Sequence, residues 1–215
     1  MNLAYTPINI YCPIPDQALL LEWFHTHKLL DTDYWEYTED RHVWAKVVTS
    51  TEPNHWRRYD KVEWDNRRVP IDNPGIFFHP GFEKTFPDIA NCIRQLPFKQ
   101  LSIGGMLYQL GEIPLHQDTY DIHEPSEPRR YTIYLTNPDE NTFYLSKDES
   151  SEKIYIKINK EYGCFVFNNS QMLHGASPKL GEKIILTMAG IIDNDKHVAL
   201  IEQSLLKFEN ERLYL

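Results

Sequence analysis

From Gln100 to about residue 193 the chain is divided into short apolar runs by turn residues at close intervals, and this spacing constrains the fold more than any other feature. The runs are Leu101–Leu110, Leu115–Asp118, Arg130–Leu135, Thr142–Leu145, Lys153–Ile158, Gly163–Phe167 and Lys183–Met188. Their lengths and the turn residues between them make them read as short strands. Asn137-Pro-Asp-Glu-Asn and Asn159 to Glu161 supply turn chemistry between them. Short antiparallel strands in this number suit a double-sheet barrel.

The preceding hundred residues read differently. A loose alternation through Ile8, Ile10 and Tyr11 predicts an opening strand. Asp16 is placed to cap a helix over Gln17 to about Leu30, and His42–Val48 predicts another strand. Phe86 to Leu96 has helical spacing and is halted by Pro97, and Val198 to Phe208 predicts a C-terminal helix. The expectation is therefore a mainly β chain with flanking α: support elements over 1–99, a barrel over 100–193 and a helix or tail over 194–215. With 215 residues and 41% hydrophobic content, there is core material for one domain.

Chemistry-bearing residues sit on this strand pattern. His116-Gln-Asp118 ends an apolar strand, and alternate strand residues share a face, so the two side chains can bind one ion. His174, in Met-Leu-His-Gly-Ala, ends a distant run. Two imidazoles and a carboxylate on one face of an octahedron leave three positions open, an arrangement suited to non-haem Fe(II) and oxygen chemistry. The same face also suits a Zn(II) or Mn(II) hydrolase or isomerase. A barrel that only binds a ligand is a further alternative. His25 and His27 diverge by about 200° on a helix and make poor joint ligands. His123 is a nearby histidine to serve as a control.

The ordered set Tyr108, Gly111, His116-x-Asp118, Arg130-x-x-x-Tyr134-Leu135, Gly163-x-Phe-Val-Phe, His174 and Gly181-Glu-Lys183 before a final apolar strand resembles the Fe(II)- and 2-oxoglutarate-dependent dioxygenases. The prolyl hydroxylase-like and aspartyl/asparaginyl hydroxylase-like branches are the nearest in pattern. The resemblance implies a double-stranded β-helix, or jelly-roll, core braced by the N-terminal helices. It implies that His116, Asp118 and His174 hold iron, with neutral imidazoles and an ionised carboxylate. It further implies that Lys183 pairs with the far carboxylate of 2-oxoglutarate, that Tyr108 donates its hydroxyl to the same group, and that Arg130, or its neighbour Arg129, supports the near carboxylate. The activity implied is hydroxylation of a C–H bond in an amino acid, peptide or other small substrate, consuming dioxygen and converting 2-oxoglutarate to succinate. Two departures stand out: a lysine in place of an arginine fork at 183, and Asp139-Glu-Asn-Thr where many prolyl hydroxylase-like members carry a glycine pair.

Composition narrows the partners. With 31 acidic against 22 basic residues and a formal charge of −9, the chain lacks the basic face that a nonspecific grip on nucleic acid needs. Residues 53 to 82 form an Arg- and Trp-rich segment, with a small positive island at 57 to 68, read as a solvated loop or a substrate loop. Cys12, Cys92 and Cys164 are scattered and have no Cys-x-x-Cys spacing. This predicts neither a disulfide framework nor a zinc knuckle, and it fits a reducing cytoplasm. No run of about 18 apolar residues predicts a membrane span.

Overall fold

A computed structural model of the chain describes residues 3–26, 43–50, 76–79, 81–109, 111–117, 129–169, 171–177 and 182–214. Twelve strands among them are Leu3–Pro7 (β1), Val43–Ser50 (β2), Phe77–Phe78 (β3), Phe98–Gln109 (β4), Ile113–His116 (β5), Arg130–Tyr134 (β6), Phe143–Ser146 (β7), Ile154–Tyr155 (β8), Cys164–Phe167 (β9), Leu173–Ala176 (β10), Lys183–Ile192 (β11) and Leu213–Tyr214 (β12). The helices are Gln17–Thr26 (α1), Phe82–Thr85 (α2), Pro87–Gln95 (α3) and Asn194–Lys207 (α4). The larger sheet has eight strands in the order β12-β1-β9-β6-β11-β4-β2-β3, and the smaller has four in the order β5-β10-β7-β8. Every ladder pairing is antiparallel. The chain is thus mainly β with flanking helices.

From β4 to β11 the path moves repeatedly between the sheets, and the period-two alternation of its strands fills two cores. In β6, Tyr131 and Ile133 face the core under the helices, and Tyr134 faces the space between the sheets. In β9, Cys164 and Val166 take the helix side while Phe165 and Phe167 take the inter-sheet side. In β11, Ile184, Leu186 and Met188 face the helices. Lys183 and Ile185 alternate with them and so point between the sheets. A strand buried on both faces must be apolar nearly throughout, as Cys-Phe-Val-Phe is.

The helices seal the larger sheet. Asp16 accepts from the Leu19 N–H at 2.9 Å, capping α1 as its sequence predicts, and Leu20, Trp23 and Phe24 are the residues α1 buries. Helix α3 begins with Pro87, whose missing N–H costs nothing in the first turn, and buries Ile89, Ala90, Cys92 and Ile93. It ends at Leu96, which is extended (φ −67°, ψ 151°) because Pro97 disfavours the helical region for the residue before it. Helix α4 starts at Asn194, several residues before the expected Val198, because the Asp193 carboxylate accepts from the Lys196 N–H at 3.3 Å.

The three cysteines, scattered in sequence, are free thiols buried in the helix-side core. The interaction with the Cys92 thiol, and then burial, pushes the Cys12 thiol up, and burial pushes Cys164 up. Among the described residues, no helix is long and apolar enough to cross a membrane.

Candidate active site

Strand β5 ends on His116, and the neighbouring β10 carries His174 at the directly opposed position. Their rings lie 4.2 Å apart between centroids, at 52° to one another. His174 is buried, with its ring 5.0 Å from that of Phe167 and 6.3 Å from that of Phe143. His116 is half-buried. The site therefore lies at the inner face of the smaller sheet, walled by phenylalanines of both sheets.

Both imidazoles turn Nδ1 toward a backbone carbonyl two residues earlier. His116 Nδ1 lies 2.8 Å from the Pro114 oxygen, and His174 Nδ1 lies 3.5 Å from the Met172 oxygen, a much weaker contact. A carbonyl oxygen only accepts, so the 2.8 Å contact of His116 favours a proton on Nδ1 in the neutral ring, with the lone pair on Nε2. This is the tautomer that a metal ligand needs, with the other ring nitrogen held by a backbone oxygen. Asp118, the third candidate ligand, lies outside the described residues, as does His123. Among the described residues no group of three His, Cys, Asp or Glu side chains is placed to hold a metal. The pair present fits two neighbouring ligands of a divalent ion that prefers imidazole.

Lys183 opens β11 and is 1% exposed. Its Nζ donates to the Thr142 hydroxyl at 3.2 Å and lies 5.7 Å from the centre of the Tyr134 ring. The Leu135 N–H bonds the Ile184 oxygen, which carries the ladder past β6 and brings Thr136 to the level of Lys183. Thr136 is buried, and its hydroxyl has no hydrogen-bond partner among the described residues. A buried lysine amine that donates to a hydroxyl is chemically suited to pair with an anion as well. These residues fit a carboxylate-bearing co-substrate.

The remaining candidates separate. Arg130 begins β6 on the face it shares with Thr132 and Tyr134, and its backbone pairs with Phe167, the ring against His174. Arg129 points elsewhere: its Nη2 donates to Asn194 Oδ1 at 3.1 Å, at the start of α4. Tyr108 pairs through its backbone with Ile184, and the register sets Gln109 opposite Lys183. The Tyr108 side chain is outside the described set. On α1, His25 is exposed and lies 3.0 Å from Glu182, away from the histidine pair, while His27 is outside the described residues. Most of the Arg- and Trp-rich segment 53–82, and all of its positive island, also lies outside them.

The structure resembles a prolyl-4-hydroxylase of Pseudomonas putida, with 12% identity, a TM-score of 0.41, and 81% of this chain and 85% of that chain covered. It also resembles AviO1 of Streptomyces viridochromogenes, with 13% identity, a TM-score of 0.40, and 87% and 89% covered. EvdMO1 matches with 13% identity and a TM-score of 0.42, over 88% of this chain and 48% of that one. No family model matches the chain, and no curated protein matches it in sequence. Likenesses this distant identify neither a family nor a chemistry.

Thr142 and Thr136 are the site residues that the sequence left unmarked. Tyr134 and Phe167 belong to the resembling pattern but carry no assigned role there. The available signal was alternation: counting along Arg130–Leu135 places Tyr134 on the face of Arg130.

Proposed function

We propose that the protein is an Fe(II)- and 2-oxoglutarate-dependent dioxygenase that hydroxylates a C–H bond of an amino acid, a peptide or another small molecule. The observation that carries this reading is the His116–His174 pair, with opposed strand positions, rings 4.2 Å apart and Nδ1 turned to the backbone on both. His116, His174 and Asp118 would hold the iron. Lys183, with the hydroxyls of Thr142 and Thr136, would take the far carboxylate of 2-oxoglutarate, and Arg130 would support the end nearer the histidines. Tyr108 is kept as a candidate donor to the far carboxylate.

When bound, iron and 2-oxoglutarate together supply the oxidising power, taking one oxygen atom of O₂ into the substrate and the other into succinate. The chain supplies placement. Phe143 and Phe167 exclude water beside His174, the carbonyls of Pro114 and Met172 orient the imidazoles, and Lys183 fixes one end of the keto acid so that its other end reaches the histidines. No general base is required of the protein. The passage of β4 to β11 back and forth between the two sheets supports a double-stranded β-helix as the scaffold. The formal charge of −9 supports a small or peptide substrate over a nucleic acid.

The test is an anaerobic titration of the metal-free protein with Fe(II) and then 2-oxoglutarate, following the weak visible charge-transfer band of a keto acid chelated to iron. The band is expected in the wild type and lost in His116→Ala and His174→Ala, with His123→Ala unchanged. Iron binding with no band would move a metallohydrolase reading ahead. Absence of metal binding would leave a binding protein.

A further inference from the structure

We propose that Gly175 is a positioning residue for the histidine pair: its missing side chain lets the bulged strand β5 seat against β10, which aims His116 at His174 with its Nδ1 proton fixed. The inference rests on the reading of that pair as metal ligands.

The register shows the device. His174 opposes His116, but Ala176 opposes Ile113, so two steps along β10 match three along β5. The extra residue is a bulge, which bends a strand and re-aims a side chain. Pro114 lies inside it. Proline cannot donate to a ladder and is tolerated in a sheet mainly at edges and bulges, and β5 is bulged and, among the described residues, at the edge of the smaller sheet. It is the Pro114 carbonyl that lies 2.8 Å from His116 Nδ1, so the bulge itself sets the tautomer of the first ligand.

Gly175 faces this bulge from the middle of β10. A Cβ built there would lie 2.8 Å from the Ile113 carbonyl oxygen and 2.7 Å from the Tyr144 hydroxyl, closer than real Cβ contacts come. Tyr144, its cross-strand partner on β7, is fully buried and can give way only by losing its packing against Tyr155, whose ring lies 5.6 Å away. The Ile113 carbonyl is backbone, and relieving that contact means moving β5. Any side chain at 175 therefore pushes the His116 strand away from the His174 strand.

Three variants separate the two contacts. In Gly175→Ala, nitrogen-15 NMR of the metal-free protein should show His116 losing its single Nδ1–H tautomer and its ring contact with His174, and Fe(II) affinity should fall about 10–100-fold. Tyr144→Ala keeps the glycine and should leave both readouts at wild-type values. The double variant Gly175→Ala/Tyr144→Ala has room for the methyl group on the tyrosine side and so remains informative if the single variant fails to fold. It should still show a displaced His116, because the Ile113 carbonyl is unchanged. A wild-type His116 tautomer and iron affinity in the double variant would overturn the proposal, assigning the glycine to tyrosine packing alone. If the wild type shows the paired histidines by NMR but takes up no iron, the oxygenase reading fails, and the metal-free spectra still decide the role of Gly175.

Discussion

Lys183 is 1% exposed, with its Nζ donating to a threonine hydroxyl. Lys183→Ala is expected to weaken 2-oxoglutarate binding by about 1.5–3 kcal/mol, the scale of a hydrogen bond to a charged group, in an equilibrium titration of the iron-loaded protein. Unchanged affinity would shift that role to another cation. Thr136 makes a sharper case, because a buried hydroxyl with no partner among the described residues is a cost to the unliganded protein. Thr136→Val keeps the shape and removes the cost. Stability measured by denaturant unfolding should rise by about 1–3 kcal/mol while co-substrate affinity drops. A gain in stability with affinity intact would make Thr136 a bystander. The ligand residues were legible because His-x-Asp and a distant histidine are chemically conspicuous. Thr136 and Thr142 were not, since a threonine carries no mark until the fold places it near the site.

At the level of elements, the C-terminal helix α4 is docked by a titratable contact. His197 is buried and shares a 2.8 Å hydrogen bond between its Nδ1 and the Tyr131 hydroxyl of β6. Burial, with a smaller effect from the Arg129 charge, pushes its pKa down from 6.5 to about 4. Between these values the unfolded chain binds a proton that the folded chain does not. Stability is therefore complete above about pH 6.5 and falls as the pH drops toward 4, by on the order of 2–3 kcal/mol. His197→Gln should flatten this part of the stability profile, and an unaltered profile in that variant would remove His197 as the cause. The strand pattern of the sequence was informative where both faces of a strand are buried, as in β6, β9 and β11. It overran the strand ends. Ile8 and Ile156 each make one further backbone hydrogen bond, to the Cys164 and Phe143 oxygens, past the strands Leu3–Pro7 and Ile154–Tyr155, while Ile10 and Ile158 are buried beyond them. Hydrophobic alternation reports burial, whereas pairing depends on which neighbour the fold brings alongside.

For the molecule as a whole, the candidate site is assembled from segments far apart in sequence: β5 and β10 carry the histidines, β11 the lysine, β6 the arginine and the loop before β7 the threonine. Such a site forms only when both sheets close. The imidazole tautomers and the compact state should therefore be lost together in denaturant, which NMR and far-ultraviolet circular dichroism on one sample would check; tautomers that melt first would show the smaller sheet opening alone. The sequence could indicate a barrel, but not which residues meet across it, because the contacts between sheets are not encoded in local periodicity. The cysteines show the same gap: Cys12, Cys92 and Cys164 have no common spacing, yet Cys92 joins the other two in the core.

Those thiols have a practical consequence. All three cysteines of the chain are fully buried, with two flanking Cys92 and burial holding the group protonated, so the folded protein offers no reactive sulfur to an alkylating reagent. A single cysteine introduced on the outer surface of α4, for instance Leu206→Cys at a position 84% exposed, would then be the sole point of attachment for a spin label or dye. The molecule comes with a blank background for spectroscopic rulers, with no native residue to remove first.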